Sequence, residues 1–376
     1  MIVAGEASGD DHAAHLVEEL KKLDPALTFS GLGGTLMERA GVEVIEDLTQ
    51  WAVVGFVEVL KHYTHFKRAF DRFLDEAERR RPAAVILVDY PGFNLRLAKE
   101  LKKRGIKVIY YISPQVWAWK EKRIRTIKQV VDRMIVIFPF EKNFYDRHGM
   151  DVAYVGHPAL DDLKVTRPAP AFLKDLGFLP GNLTIGLLPG SREKEIERHF
   201  PIMLEAAKLL HDQFNKLQFV VFKAPTVSML QMEKYFRPYV QLPIKMVHND
   251  LHNGLNAMNL CIVASGTATF ETALFEKPMV IVYRTSPVTF FFLKLMMKVK
   301  HIGMVNVLAG KGIVPECVQR NATPKKIAKA LMEIFTDDLK ITEIKEELRK
   351  VKAMMGEPGA SRRAAEEVLK VVGLGK

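Results

Sequence analysis

Cysteine is scarce in this chain, which has only two among 376 residues, Cys261 and Cys317. Both lie in apolar surroundings, so we expect buried thiols rather than a disulfide or a cysteine metal site. That usage favours a reducing compartment, and the first residues are too few and too uncharged for a signal peptide. Apolar runs are also short, since none reaches the roughly 18 residues that a membrane-spanning helix requires. These absences argue against a disulfide-stapled secreted domain and against a membrane-spanning protein.

Several chemical signatures are missing as well. The chain has no D-x-D pair, no G-x-S-x-G elbow and no G-x-x-x-x-G-K-[ST] phosphate loop. The glycine-rich segment 31–34 carries Leu36 where the dinucleotide fingerprint needs its third glycine. His248 and His252 have the spacing of a zinc pair but lack the glutamate of H-E-x-x-H. We therefore expect no cofactor and no metal requirement.

What the chain does have is a basic, globular composition. Hydrophobic residues make up 48% and charged residues 26%, and the formal net charge is +11. Length and composition suit two domains, each with its own core. The positive charge favours anionic partners such as phosphate groups or acidic lipid, although a solvated basic surface without a partner gives the same balance. The basic residues are dispersed along helices, which argues against nucleic acid.

Strand and helix patterns alternate along the chain in two series. Apolar runs such as residues 84–88 and 260–263 are typical of parallel strands covered on both faces. Right-handed crossovers then give two doubly wound, Rossmann-like α/β domains. We predict an N-terminal domain over 1–157, a proline-rich linker over 158–180, a second domain over 181–355, and a C-terminal helix within 356–376 that crosses back to the first domain.

Two turns in the second half predict anion binding. Pro189-Gly190-Ser191-Arg192 and Ser265-Gly266-Thr267-Ala268 each follow a predicted strand and precede a helical pattern. This layout presents backbone N–H groups to phosphate, and Arg192 adds a planar guanidinium. Glu271 is placed to accept hydrogen bonds from ribose hydroxyls. An ordinary capped helix start explains either turn alone, but the two together suggest a nucleotide diphosphate.

Three loops in the first half also follow predicted strands, where ligands of open α/β sheets bind. The loop 5–10 brings glycines that allow close approach, and Ser8 or Asp10 is expected to cap the next helix. Asp89 follows the most apolar strand, and Asn94 is expected to cap the helix after it, which leaves Asp89 for general-base work or for holding substrate or structure. The loop 113–119 places two tryptophans either in a hydrophobic cluster or in a wall of the site.

With these residues in view, the chain resembles the lipid-A-disaccharide synthases, which are inverting glycosyltransferases of the two-domain GT-B type. The resemblance covers nearly the whole chain and rests on motifs in a fixed order. These are Ala4-Gly5-Glu6-Ala7-Ser8-Gly9-Asp10, Gly33-Gly34-x-x-Met37, Asp89-Tyr90-Pro91-Gly92-Phe93-Asn94, Ser113-Pro114-Gln115-Val116-Trp117-Ala118-Trp119, Gly156-His157-Pro158, Leu188-Pro189-Gly190-Ser191-Arg192, Ser265-Gly266-Thr267-Ala268-Thr269-x-Glu271, and Asn306 with Val314-Pro315-Glu316.

The resemblance implies two Rossmann-like domains facing a central cleft and a defined reaction. UDP-2,3-diacylglucosamine donates its sugar to the 6-hydroxyl of 2,3-diacylglucosamine 1-phosphate at the cytoplasmic face of the inner membrane. The important Asp, Arg and Asn of the family map onto Asp89, Arg192 and Asn306. The second domain is implied to bind the UDP-sugar through Gly190, Ser191, Arg192, Ser265, Gly266, Thr267, Ala268, Glu271 and Asn306. The first is implied to receive the acceptor near Glu6, Ser8, Gly9, Asp10, Gln115 and Trp117.

A membrane-facing patch is a further prediction. Residues 51–60 include Val54, Phe56, Val57 and Leu60, and basic residues follow them. An apolar patch bordered by cations suits an acidic lipid surface, and residues 290–297 are a second candidate. Both segments are equally consistent with buried core.

Two other functions fit parts of the pattern. A UDP-N-acetylglucosamine 2-epimerase-like enzyme shares the two-domain plan, and it turns over without an acceptor. A non-catalytic nucleic-acid-binding protein fits the charge, but it leaves the glycine loops unexplained.

Overall fold

The protein is described by a computed structural model over residues 1–51, 63–117, 121–287, 289–291 and 300–374. It folds into two compact units. Unit 1 comprises Met1–Asp161 together with Met355–Lys376, and unit 2 comprises Asp162–Met354. The predicted membrane-patch residues Val54, Phe56, Val57 and Leu60 lie outside the described residues.

Unit 1 is built on a parallel sheet that has seven strands within the described ranges, in the order β3-β2-β1-β4-β5-β6-β7. The strands are β1 Ile2–Ala4, β2 Phe29–Gly33, β3 Val42–Asp47, β4 Val85–Val88, β5 Val108–Tyr111, β6 Arg133–Val136 and β7 Ala153–Tyr154. All four residues of β4 and all four of β5 are buried, as expected of parallel strands covered on both faces. Strands β1 and β2 approach closely at Gly31, where a Cβ would lie 1.7 Å from the carbonyl oxygen of Ile2.

The helices of unit 1 alternate with these strands. They are Ala7–Leu23, Thr35–Arg39, Tyr63–Arg80, Pro91–Lys103, Ile124–Val130, Pro139–Arg147 and, from the end of the chain, Ala360–Val372. The last of these packs against Ala7–Leu23. Its N-terminus is capped by Asp161, whose carboxylate accepts hydrogen bonds from the backbone N–H groups of Gly359, Ala360 and Ser361 at 2.5, 3.1 and 2.8 Å. The C-terminal helix is therefore an integral part of unit 1.

Unit 2 repeats the design with a parallel sheet that has six strands among its described residues, in the order β10-β9-β8-β11-β12-β13. The strands are β8 Leu183–Leu188, β9 Leu217–Lys223, β10 Ile244–His248, β11 Leu260–Ala264, β12 Met279–Tyr283 and β13 Glu316–Val318. Cys261 on β11 and Cys317 on β13 are free and buried, which confirms the predicted thiols.

The helices of unit 2 are Ala169–Asp175, Glu193–Gln213, Met229–Phe236, Leu251–Ala257, Thr267–Leu274, Met304–Ala309, Pro324–Phe335 and Asp338–Met354. The first of them lies inside the segment that we predicted as a linker. It belongs to unit 2 because Phe172 is buried and the helix packs against Leu251–Ala257. In the part of the chain that the structure describes, no helix combines the length and the apolar character needed to cross a bilayer.

Each sheet reverses its strand order at one point. In unit 1 the order reverses between β1 and β4, and in unit 2 between β8 and β11. Ligands of doubly wound sheets bind beyond the carboxyl ends of the strands at this switch point. Each of the loops that leave β1, β4, β8 and β11 carries one of the sequence motifs. The fold confirms the prediction of two Rossmann-like α/β domains.

Candidate functional site

The loop after β4 holds Asp89 in an unusual backbone conformation. Asp89 and Tyr90 have φ angles of 43° and 45°, in the left-handed region that non-glycine residues rarely adopt. Strain of this kind costs on the order of 1–3 kcal/mol per residue and clusters at functional sites. The carbonyl oxygen of Asp89 accepts hydrogen bonds from the Tyr110 hydroxyl at 2.5 Å and from Asn94 Nδ2 at 2.8 Å. These two bonds fix the direction in which the half-buried Asp89 side chain leaves the strand.

Asn94 corrects one prediction. The helix begins at Pro91 with Tyr90 as its N-cap residue, so Asn94 lies inside the first turn and is not the cap that we expected. Its amide instead donates back to the carbonyl oxygens of Val88 and Asp89, at 3.1 and 2.8 Å. Because the proline sets the helix start, the asparagine is displaced by one turn and supports the strained loop.

The loop after β1 lies against this one. A Cβ on Gly5 would fall 2.2 Å from the Tyr90 ring, so only glycine fits there. Burial raises the pKa of Tyr90 to about 12, and the nearby charge of Glu6 adds to the effect. Gly9 is buried and Ser8 is half-buried, close to β1. The structure therefore brings Glu6, Tyr90 and Asp89 to one edge of unit 1.

Asp10 caps a different helix from the one predicted. Neither Ser8 nor Asp10 caps the helix Ala7–Leu23, whose N-cap residue is Glu6. Asp10 is 4% exposed, and its carboxylate accepts hydrogen bonds from the backbone of Gly34, Leu36 and Met37 at 2.7, 3.0 and 3.2 Å. Asp10 therefore caps the helix Thr35–Arg39. Direct contact between the Asp10 carboxylate and a ligand stays a prediction, and such contact would compete with this capping role.

The sequence did not draw attention to Glu141, a buried carboxyl near the same edge. It is 2% exposed and accepts hydrogen bonds from the backbone N–H groups of Ile137 and Phe138 at 3.3 and 3.2 Å. Burial raises the pKa of Glu141 to about 8, and the charge of Asp89 acts in the same direction. The two backbone hydrogen bonds and the Trp117 indole lower the pKa by less. Trp117 packs edge-on against Phe140, with ring centroids 4.8 Å apart, and Gln115 is exposed. The helix-start pattern Pro139-Phe140-Glu141 was the available signal.

In unit 2 the turn after β8 is bound by an acidic side chain. Gly190 has φ +123°, and Arg192 is the N-cap residue of the helix Glu193–Gln213. The Glu195 carboxylate accepts a hydrogen bond from the backbone N–H of Ser191 at 3.0 Å and pairs with Arg192 at 2.8 Å. The donors predicted to face phosphate are therefore assembled around an anion that the protein itself supplies.

The turn after β11 leaves its backbone open. Gly266 and Thr267 are exposed, and nothing lies within 4 Å of a Cβ placed on Gly266. The Thr269 hydroxyl donates to the Gly266 carbonyl oxygen at 2.7 Å and stabilises the first turn of the helix Thr267–Leu274. Ala268 is half-buried, and Glu271 lies one turn further, 4.0 Å from His252. Exposed N–H groups at a helix start are suited to binding an anion.

Asn306 lies beside this turn but points inward. It is completely buried, and its side-chain oxygen accepts hydrogen bonds from Ile313 N and Val314 N at 2.9 and 3.0 Å. Its amide donates to the Val314 carbonyl oxygen and to Glu316, at 2.9 and 2.8 Å. All four of these hydrogen bonds join the Asn306 side chain to the loop 302–316. In this conformation Asn306 therefore influences a ligand through the shape of that loop. The same loop contacts Ser265, whose hydroxyl donates to Ile302 O at 3.5 Å.

The chain matches one protein family over almost its whole length. A profile of the lipid-A-disaccharide synthetase family matches residues 1–372. A lipid-A-disaccharide synthase of Nitrosococcus oceani is 41% identical over 365 residues, which cover 97% of this chain and 94% of that protein. One of Trichlorobacter lovleyi is 42% identical over 372 residues, with 99% and 97% covered.

Solved structures with low sequence identity share the fold. A Staphylococcus aureus MnaA–UDP complex has a TM-score of 0.71 at 12% identity and covers 100% of this chain and 96% of its own. A UDP-N-acetylglucosamine 2-epimerase of Listeria monocytogenes, described as putative, gives 0.67 at 14% identity, with 98% and 95% covered. The calicheamicin glycosyltransferase CalG4 gives 0.60 at 14% identity, with 99% and 96% covered. At these identities the likeness concerns architecture alone.

Proposed function

The chain belongs to the lipid-A-disaccharide synthase family, and we propose that it transfers 2,3-diacylglucosamine from UDP to the 6-hydroxyl of 2,3-diacylglucosamine 1-phosphate. The products are the β-1,6-linked disaccharide 1-phosphate and UDP. The observation that carries this proposal beyond family membership is the placement of the motifs. The loops with Asp89 and Arg192 leave the strands at the switch point of each sheet, where such folds bind ligands.

We assign the UDP-sugar to unit 2. Departure of UDP develops negative charge on its diphosphate, and a sequence without a D-x-D pair needs groups other than a metal ion to meet that charge. Arg192, the Ser191 backbone and the exposed start of the helix Thr267–Leu274 supply such groups. Glu195 now occupies the first two, so a bound diphosphate competes with that carboxylate for them.

We assign the acceptor to unit 1. Inversion requires a single displacement, so one base near the attacking hydroxyl is enough and no covalent intermediate forms. Asp89 is the candidate, because it is half-buried at a strand end and its backbone is held by Tyr110 and Asn94. A preorganised carboxylate suits proton removal in the transition state.

Thermal stabilisation by nucleotide tests this assignment. UDP at 100 times its Kd should stabilise unit 2 by about 2.7 kcal/mol, which corresponds to a Tm rise of several degrees for a unit of this size. ADP at the same concentration serves as the control, and we expect it to leave Tm nearly unchanged. Equal stabilisation by both nucleotides, or by neither, contradicts a UDP site.

The epimerase alternative shares only the architecture, but it makes a distinct prediction. Incubation with UDP-N-acetylglucosamine alone should give no product in a glycosyltransferase of this family. Appearance of the 2-epimer without any acceptor would establish the alternative instead.

We further propose peripheral attachment to the cytoplasmic face of the inner membrane through residues 51–60. The support is the sequence alone, with apolar residues next to Lys61, Lys67 and Arg68. Val57→Ser with Leu60→Ser should abolish binding to vesicles that contain acidic lipid, while leaving the protein folded. Leu339→Ser is the matched control, since Leu339 is 77% exposed in unit 2. Unfolding of the double variant, or unchanged binding, contradicts the patch.

A further inference from the structure

His199 connects two loops of unit 2. It lies in the helix Glu193–Gln213, and it is 1% exposed. Its Nδ1 lies 3.3 Å from the carbonyl oxygen of Pro189, in the turn after β8. Its Nε2 accepts a hydrogen bond from the backbone N–H of Arg284 at 2.9 Å, in the loop after β12. One buried ring therefore bonds to the backbone of both loops.

The partners of His199 define its tautomer. A backbone N–H can only donate, so Nε2 carries no proton when it bonds to Arg284. A carbonyl oxygen can only accept, so the single ring proton lies on Nδ1 and is donated to Pro189. A protonated imidazolium would set one N–H against another. Burial lowers the pKa of His199, with Glu195 raising it and Arg198 lowering it less strongly, so the neutral ring is favoured at pH 7.

Each of the two loops is also held by other contacts. The Pro189 turn contacts the loop after β9, since the Thr226 hydroxyl donates to Ser191 O at 2.6 Å. The other loop is fastened to Gln319, whose side chain accepts from Thr285 N at 3.0 Å and donates to Thr285 O at 2.6 Å. Arg198 also reaches the Thr285 hydroxyl, at 3.3 Å. His199 thus relates the position of the Pro189 turn to that of the Arg284 loop.

The Arg284 loop adds a cation beside the predicted anion turn. A cavity of about 480 Å³ lies between this loop and the helix of His199, and Arg198, Ile202, Arg284 and Ser286 are among the residues that line it. Arg284 is exposed. Burial raises the pKa of Tyr283 at the start of this loop, and the nearby charges of Glu195, Arg198 and Arg192 act on it as well.

We propose that His199 is a positioning residue of the UDP-sugar site, which sets the Pro189–Arg192 turn and the Arg284 loop at a fixed separation. Arg192 in the one loop and Arg284 in the other are then presented to the diphosphate at a fixed separation of their backbones. The proposal rests on the assignment of UDP to unit 2. Preorganised charge binds a developing anion better than mobile charge, because no reorganisation is needed at the moment of reaction.

The test compares the same substitution at two positions of one helix. His199→Phe keeps the ring volume and removes both hydrogen bonds. His211→Phe is the control, since His211 lies half-buried in the last turn, away from both loops. UDP binding is measured by calorimetry at pH 8, well below the Tm of each protein. We expect about a tenfold or greater loss of UDP affinity for His199→Phe, as two hydrogen bonds permit, and less than a twofold change for His211→Phe.

Two conservative variants keep the proposal testable if His199→Phe folds poorly. His199→Asn can retain the donor to Pro189 and His199→Gln the acceptor for Arg284, so each should bind UDP with intermediate affinity. A purely structural histidine predicts a lower Tm with unchanged UDP affinity in the folded protein, and that result overturns the proposal. Failure of the wild type to bind UDP refutes the assignment of the nucleotide itself.

A pH series gives a second readout. As the pH falls, protonation of His199 removes the acceptor for the Arg284 backbone N–H. The charged groups that act on the ring are Glu195 and Arg198, and the Tyr283 ring lies tilted beside it with centroids 6.4 Å apart. Because burial lowers the pKa of His199, the affinity ratio between wild type and His199→Phe should stay constant above the ordinary histidine pKa of about 6.5 and shrink only on its acid side. A ratio that changes above about pH 6.5, or that grows as the pH falls, contradicts the role of the neutral ring.

Discussion

At the scale of single residues, the loops that carry the site are shaped by side chains that face the protein. Asn94 supports the strained backbone at Asp89, and Asn306 fixes the loop next to Ser265. Asp10 and His199 each bond to the backbone of a second loop. These residues hold the loop geometry, and our proposal assigns the contacts with substrate to Asp89 and Arg192.

Replacing Arg192 with alanine should reduce turnover far more than stability. Losing one charged donor to the diphosphate should cost roughly 2–4 kcal/mol of transition-state stabilisation, or about 30-fold to 10³-fold in kcat/KM. Lys194→Ala is the control, because it removes an exposed cation from the same helix start. Steady-state kinetics on the two purified variants measure their kcat/KM relative to the wild type. A near-normal kcat/KM for Arg192→Ala would rule out this role.

Asp89→Asn should keep the shape of the loop and remove the base. Transfer should fall by about 10²–10⁴, the usual size of a general-base contribution, while UDP binding to unit 2 is unchanged. Calorimetry with UDP and a transfer assay on the same preparation separate these effects. If most of kcat survives, another group is the base, and Glu6 is the next candidate because it lies near Tyr90.

Residue roles were the least predictable part of the site. Asn94 and Asp10 both occupy sequence positions typical of helix caps. However, the helix that contains Asn94 already begins at Pro91, and Asp10 caps a helix that begins 25 residues further along the chain. Glu141 carries only the helix-start pattern Pro139-Phe140-Glu141, and His199 carries no motif. Their importance arises from burial and from partners distant in sequence, which a local pattern does not contain.

At the scale of elements, the sequence is far more informative. Strands β4 and β11 lie at the predicted apolar runs 84–88 and 260–263, within one residue of the expected ends. Continuous apolar runs are decisive because parallel strands are covered on both faces. Strand β13 escaped prediction because Glu316-Cys317-Val318 is short and follows Pro315. The short helix Ala169–Asp175 was missed because prolines surround it.

The C-terminal helix gives a prediction at this scale. Asp161→Ala removes an acceptor for three N–H groups at the start of the helix Ala360–Val372, so unit 1 should lose about 2 kcal/mol. Urea unfolding followed in unit 1 measures this loss. Asp146→Ala is the control, as it removes a 45% exposed carboxylate from the same unit. Equal stability of the two variants would show that the cap contributes little.

At the scale of the whole molecule, buried histidines should make stability depend on pH. His157 is 3% exposed, and burial lowers its pKa to about 3, with the nearby His12 adding to the effect. Its neutral Nδ1 accepts from Ala159 N at 3.2 Å. Because the folded pKa lies below the ordinary value near 6.5, this stabilisation is complete above pH 6.5 and is lost as the pH falls toward 3, by up to about 1.4 kcal/mol per pH unit.

His157→Gln should therefore unfold less steeply with acid than the wild type. The measurement is the free energy of unfolding of unit 1 by urea at intervals from pH 8 to pH 4.5. His148→Gln, which changes a 30% exposed ring in the same unit and leaves His157 in place, is the matched control, and it should lose stability with acid more steeply than His157→Gln. Parallel curves for wild type and His157→Gln would refute the linkage.

The central claim concerns the whole chain, and product analysis tests it most directly. Purified protein is incubated with UDP-2,3-diacylglucosamine, with 2,3-diacylglucosamine 1-phosphate, and with both, and the products are identified by mass spectrometry and NMR. The account predicts the β-1,6-linked disaccharide 1-phosphate and an equal amount of UDP, and only when both substrates are present. Consumption of the UDP-sugar without acceptor, or an α-linked product, would contradict it.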